Sequence, residues 1–261
     1  MQSIEGFVAL IDVLGFSAMV QGPQGKDGLS HYLESVQEVI EPKETEGKLE
    51  FVLFSDSIVV STRDLEAPSL AVLLRGCSRL LGALLEKEIP IRGAIAAGTF
   101  YRERSSNGTF VAGRPIIEAY QVEQAQNWVG ITLAQSTLRA CRRVPDLCFL
   151  PDARLSAEAL NPRINWPMLL RRNESIPFHD GTFDGFSVIP TPASGKTGQY
   201  QPYLGKCINA LDRLKTLAPT PQAQQKYTST ARWLETIRSQ WGILQSQDFP
   251  QDVHYHGVPS E

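Results

Sequence analysis

Strand-like runs in this chain come in neighbouring pairs with amphipathic helices between them, and that order limits the fold more than any single motif does. "GFVALID" reads as a buried strand. "GLSHYLESVQEVIEPKE" follows with Leu29, Leu33, Val36 and Ile40 at helical spacing. "KLEFVLFSDSIVVST" then reads as two β-rich runs joined at Ser55, Asp56 and Ser57, the pattern of a hairpin with a tight turn. The leucine-rich "SLAVLLRGCSRLLGALLEKE" predicts a long helix ending before Pro90, and "IPIRGAIAAG" a further strand bearing Arg92. Residues 99–110 are polar and read as a turn-prone connection. "AGRPIIEAYQVEQAQ" predicts a helix with Pro115 in its first turn, and "WVGITLA" another strand. Hairpin strands between helices suit an antiparallel or mixed sheet covered by helices on one side, a palm-like α+β design, better than a doubly wound parallel sheet.

From about Arg143 the pattern is less regular. "LCFLP" and "INWPMLL" read as short strands, and "FDGFSVIPTPASGKTGQYQPY" as a Pro/Gly-rich connection. Two helices follow, "YLGKCINALDRLKTL" and "PQAQQKYTSTARWLETIRSQWG", before a tail with few apolar residues. The expected organisation is a main domain over 1–145, a decoration packed on it over 146–245, and a flexible tail over 246–261.

With 261 residues and a formal net charge of -3, the chain has the length for a sizeable core and no general electrostatic case for nucleic acid or an anionic membrane surface. Its four cysteines, Cys77, Cys141, Cys148 and Cys207, fit neither a zinc set nor a disulfide framework, so reduced core residues are expected. There is no leader pattern and no uncharged run of membrane-spanning length, which predicts a cytoplasmic protein.

The first chemical signal is Asp12, a lone carboxylate at the end of an apolar strand, matched by Asp56 in the hairpin turn. Two acidic tips on adjacent strands repel unless a cation lies between them. Mg²⁺ or Mn²⁺ fits, with a nucleotide's phosphates completing the oxygen shell. On spacing alone, turn capping explains the pair equally well. "VLGFS" supplies a glycine where backbone amides can approach an anion, and Arg92 a positive charge on a neighbouring strand, so the set suits metal-assisted phosphoryl transfer. "SGKTGQ" lacks the earlier glycine of a phosphate-binding loop, and "HYH" at 254–256 sits in the expected loose tail; neither carries a site.

"LIDVLGFS", "LFSDSIVV", "IPIRGAIAAG" and "AGRPIIEAYQVEQAQNWVGITLAQST" occur in the order of the motifs of the class III nucleotidyl cyclases, which the chain resembles over residues 5–140. The resemblance implies a palm-like, ferredoxin-like sheet flanked by helices with a C-terminal helical extension. It implies two Mn²⁺ or Mg²⁺ ions held by Asp12, Asp56 and the Val13 carbonyl. It also implies a phosphate turn of Val13, Leu14, Gly15, Phe16 and Ser17, and a phosphate-binding role for Arg92. The 3′-hydroxyl of a nucleoside triphosphate would attack its own α-phosphate, giving a 3′,5′-cyclic nucleotide and pyrophosphate, in a head-to-tail homodimer.

Departures from the family pattern are equally specific. The position that reads a purine base is Val52, and the places of an Asn and a transition-state Arg hold Ile117 and Gln121. Arg114, Arg102 and Arg104 are nearby substitutes, and Phe51 and Phe54 are candidates to narrow the pocket toward a one-ring base. Glu118, Tyr120 and Gln121 are expected to face the partner's nucleotide, with packing at the subunit interface an equal alternative for Tyr120. With "FSDS", "EAYQVEQ" and "KYTSTARWLETI", the chain resembles most the bacterial pyrimidine cyclases of anti-phage Pycsar systems. That closer resemblance implies UTP, or alternatively CTP, as substrate, and a separately encoded effector switched on by the product, with no nucleic-acid or membrane partner. The rival expectation is a silent cyclase-like module that binds nucleotide or a protein partner.

Overall fold

The structure, a computed structural model, describes residues 2–23, 25–40, 49–105, 108–141, 170–178, 181–190 and 200–246. Strand β1 (Gln2–Val13) runs into a short helix α1 (Phe16–Gln21) and the longer α2 (Gly25–Ile40). The hairpin β2 (Glu50–Phe54) and β3 (Ser57–Ser61) follows, then α3 (Ala67–Glu86), β4 (Ile91–Ser105), β5 (Gly108–Gly113), α4 (Arg114–Ala125), β6 (Gly130–Leu133) and α5 (Gln135–Ala140). A second hairpin, β7 (Leu170–Phe178) and β8 (Gly181–Val188), precedes α6 (Tyr200–Leu217) and α7 (Pro221–Ser246).

The strands form one mixed sheet in the order β2-β3-β1-β4-β6-β8-β7, with β5 paired to the far end of β4. Only β4 and β6 run parallel; β1 is antiparallel to both β3 and β4. This is an α+β fold whose sheet is flanked by helices, with a helical pair at the C-terminal end of the described chain.

Alternation along β1 decides where the core sits, because successive side chains leave a strand on opposite faces. Phe7, Ala9, Ile11 and Val13 join a large cluster with the leucines of α3 and residues of α2, α6 and α7. Ile4 and Val8 face the other way, toward Ile116 of α4, as does Leu10, which packs with Ala94, Ala96 and Ala119. Helices therefore cover both faces, against the expectation of one-sided cover. The physical reason is that β1 and β4 are apolar on both sides, so the second face needed a lid and α4 supplies it. Close packing there depends on Gly113: a Cβ at that position would stand 2.6 Å from the Cα of Phe100.

Two segments differ from their sequence reading. Residues 99–105, read as a polar connection, continue β4, and residues 108–113 fold back on them as β5 with Phe100 opposite Gly113. "FDGFSVIP", read as part of a connection, contains most of β8, which pairs with both β6 and β7. Pairing with the open edge of β6 and burial of Val188 and Ile189 outweigh the local Gly and Pro content. "LCFLP", "SGKTGQ" and "HYH" lie outside the described residues. α3 is the one helix among the described residues long and apolar enough to cross a membrane; its leucines are buried inside this fold. Cys77, Cys141 and Cys207 are free and buried, and burial pushes the thiols of Cys77 and Cys207 up to about 12.

Candidate functional site

Asp12 is the last but one residue of β1 and lies on the α4 face, opposite Ser57 of β3 and Arg92 of β4. Beside it the hairpin turn between Phe54 and Ser57 is two residues long, with Ser55 at φ 55, in the left-handed region. That turn is fixed to β1 by a hydrogen bond from the Val13 N–H to the Asp56 carbonyl oxygen at 3.0 Å. The two acidic tips are thus clamped side by side through backbone. Tyr32 of α2, buried behind the turn, donates to the Ser55 carbonyl at 3.4 Å and packs edge-on against Phe16 at 5.7 Å. Burial and the charges of Asp56 and Asp12 hold the Tyr32 hydroxyl above the ordinary phenol range, so it stays a donor.

The electrostatics of this corner are unfavourable in one respect. Burial, then Glu123, then Asp56 push the Asp12 carboxyl up to about 6, and Arg92 and Lys226 only partly offset them. A partly desolvated carboxylate with a second one in electrostatic reach is the condition a divalent cation relieves. Among the described residues no group of three or more His, Cys, Asp or Glu side chains forms a complete protein-only metal centre. A cation here would need oxygen ligands from elsewhere, as hard ions bound together with phosphates do.

After Val13 the chain turns at Gly15, which has φ +76 and nothing within 4 Å of where a Cβ would stand. Leu14 N–H donates to the Pro90 carbonyl at 2.9 Å, so the amides of Val13 and Leu14 are both committed inside the fold. Those of Gly15, Phe16 and Ser17 open the first turn of α1, where N–H groups have no intrahelical acceptor. Gly15 and Ser17 are exposed, while Leu14 and Phe16 are half-buried.

Arg92 stands next to Asp12 but is 7% exposed, and its guanidinium is engaged by Glu123, itself 1% exposed, in a direct ion pair. It also donates to the Gln126 carbonyl at 3.3 Å. Gln126 in turn donates to the Gly93 carbonyl at 2.6 Å and accepts from the Trp128 indole at 2.9 Å. Arg92, Glu123, Gln126 and Trp128 form a buried polar network that locks α4 to β4.

The other residues singled out in the sequence fall into three groups. Val52 and Phe54 share the Asp12 face, since β3 places Val59 and Ser57 between them and β1; Phe54 is 78% exposed. Phe51 points to the opposite face and packs on the main core, so it cannot narrow a pocket beside Asp12. Tyr120, Gln121 and Ile117 are exposed on α4, whereas the Glu118 carboxylate turns inward to accept the Ser136 N–H at 3.2 Å. Arg102 pairs with Glu50 and Ser61, ten residues along β4 from Arg92, and Arg104 lies two residues further on. At about 3.3 Å per residue that separation is roughly 33 Å, so within one chain neither reaches Asp12.

Two residues here had no assigned place in the sequence reading. Glu123 is the partner of Arg92, and its position one helical turn after buried Ala119 marks the inward side of α4. Lys226 of α7 lies within electrostatic reach of Arg92, Glu123 and Asp12. No local signal announces it, because it reaches the site only through the docking of α7.

No family model and no curated protein matches this chain. Solved structures similar to it include the dimeric guanylyl cyclase domain of the RhoGC fusion protein from the aquatic fungus Blastocladiella emersonii, at 13% identity over 54% of this chain and 86% of that one, TM-score 0.44. The adenylyl cyclase CyaB from P. aeruginosa matches at 13% identity over 73% and 97%, TM-score 0.43. An adenylate cyclase from Trypanosoma brucei in its monomeric state matches at 10% identity over 70% and 89%, TM-score 0.47.

Proposed function

We propose that this protein is a pyrimidine nucleotidyl cyclase that converts UTP to 3′,5′-cyclic UMP and pyrophosphate, with CTP as the alternative substrate. The observation that carries the reading is the backbone clamp that holds Asp12 and Asp56 at one corner, where Arg92 and Lys226 only partly offset the burial and neighbouring charges that push up the Asp12 carboxyl. Asp12, Asp56 and the Val13 carbonyl would hold two Mn²⁺ or Mg²⁺ ions, which supply Lewis-acid stabilisation of phosphoryl oxygens when bound. Past Leu14, whose own N–H is held by Pro90, the turn at Gly15, Phe16 and Ser17 offers its amides to the phosphates. Val52 and Phe54 line the Asp12 face with no group that reads a purine by hydrogen bonding, and Tyr120 and Gln121 are presented outward, toward a partner subunit. Arg92 acts from within the network with Glu123, holding the strand end that carries the site and adding positive potential beside Asp12.

The exposed Phe54, Ile117 and Tyr120 support a head-to-tail homodimer, since large apolar side chains on one side of a sheet favour cover by another chain. On this reading the protein is the signal generator of a cytoplasmic anti-phage (Pycsar) system, and its product activates a separately encoded effector. Residues 1–145 carry the catalytic machinery and 146–245 pack on it. Incubation with each of the four nucleoside triphosphates and Mn²⁺ tests the proposal: pyrophosphate and a cyclic pyrimidine nucleotide are expected, and release from none, or only from ATP or GTP, overturns it.

A second reading, a silent module that binds nucleotide without turning it over, is favoured by Ile117 and Gln121 and by the commitment of the Arg92 charge to Glu123. Tight nucleotide binding with no product would select it.

A further inference from the structure

The C-terminal helix α7 is fastened close to this corner. The Val129 N–H donates to the Thr230 hydroxyl at 2.8 Å, and that hydroxyl lies 3.1 Å from the Val129 carbonyl. Trp233 meets Trp128 edge to face at 4.9 Å. Both contacts pin α7 to the segment entering β6, whose first residue, Gly130, is in register with Arg92. Lys226 precedes Thr230 by four residues, so it shares that docked face one helical turn away. Its ammonium is half-buried and has no direct ion-pair partner among the described residues.

Charge accounting around it is unequal. Glu123 is matched to Arg92 by direct contact, and a cation shared by Asp12 and Asp56 would take up both of those carboxylates. Lys226 is then a surplus positive charge in a partly desolvated place, next to a second cation that repels it. An anion brought by the ligand satisfies it. The sheet order, with the anchoring of α7 at Val129, points to which part of the ligand that is. Val52 and Phe54 lie on the β2 side of Asp12, and Lys226 approaches from the β4–β6 side. A nucleotide whose base rests toward β2 extends its phosphate chain toward Lys226.

We propose that Lys226 is a substrate-contacting residue that binds the terminal phosphates of the nucleoside triphosphate, so that α7, outside residues 5–140, completes the site. This inference rests on the nucleotide reading above and deepens it. It is tested by equilibrium binding of the four 3′-deoxynucleoside triphosphates, which lack the attacking hydroxyl, and of the matching monophosphates, to wild type, Lys226→Met, Lys226→Gln and Lys226→Arg, with thermal melting as the check on folding. Expected is a loss of triphosphate affinity of about ten-fold or more in Lys226→Met and Lys226→Gln, retention of most of it in Lys226→Arg, and unchanged monophosphate affinity. Equal triphosphate affinity in wild type and both neutral variants overturns the inference and leaves the nucleotide reading standing. Equal weakening of triphosphate and monophosphate assigns Lys226 to the fold and also overturns it. A wild type that binds none of the four triphosphates removes both.

Discussion

On the α3 side of the sheet, Phe7, Ile11, Ile95 and Leu133 meet the leucines of a helix buried along most of its length, whereas on the α4 side the same strands present Leu10, Ala94 and Ala96 and then Asp12 and Arg92. The first face removes a large apolar area from water and supplies stability. The second is thin at its centre, carries an ion pair inside it, and leaves Phe54, Ile117 and Tyr120 uncovered. The two faces thus differ in composition: the α3 side is packed mainly by leucines, and the α4 side buries the Arg92–Glu123 pair beside Asp12.

That contrast gives three mutations of decreasing effect. Glu123→Gln leaves the Arg92 guanidinium buried without its counter-charge and should cost about 3–5 kcal/mol in urea unfolding, while replacing both residues with Met costs far less. A small loss in the single variant would mean the network is not an energetic hinge of the α4 face. Leu84→Ala, at a fully buried position on the other face, opens a cavity and should cost about 3 kcal/mol with no change in ligand binding. A binding defect in that variant would blur the division between the faces.

The smallest effect has the opposite sign. The folded state holds the Asp12 proton more tightly than the unfolded chain does, because its carboxyl is pushed up from 3.8 to about 6. Its stabilising contribution is therefore complete below about pH 4 and lost as pH rises through about 6. In the presence of a chelator, Asp12→Asn should raise stability at pH 8, by on the order of 1 kcal/mol after solvent screening, and give no gain at pH 4. Equal melting temperatures at pH 8 would show that Asp12 carries no electrostatic penalty.

How far the sequence foretold this arrangement follows from what each signal depends on. The β2–β3 hairpin and the leucine-rich α3 were legible because period and turn chemistry are local properties, whereas the adjacency of the strand ends carrying Asp12 and Asp56 is a long-range pairing that only the ordered motifs suggested. The extension of β4 through Tyr101 and Arg104 was not, since its polar residues are held in the sheet by pairing with β5. β8 was hidden for the same reason, as its strand character comes from β6 and β7. Alternation would have placed Phe51 and Phe54 on opposite faces had the hairpin register been applied to them. Lys226, although it opens "KYTSTARWLETI", had no readable role, because it lies 103 positions after Glu123 and the docking of α7 through Thr230 and Trp233 is what brings the two near one another.

The central claim is that the tips of β1 and the β2–β3 turn grip divalent ions jointly. Its most direct measurement is Mn²⁺ binding followed by electron paramagnetic resonance, with a 3′-deoxynucleoside triphosphate present, in wild type and in Asp56→Ala. The account predicts ligand-dependent Mn²⁺ binding in wild type, lost in a variant that melts at the same temperature. Undiminished Mn²⁺ affinity in Asp56→Ala would contradict it.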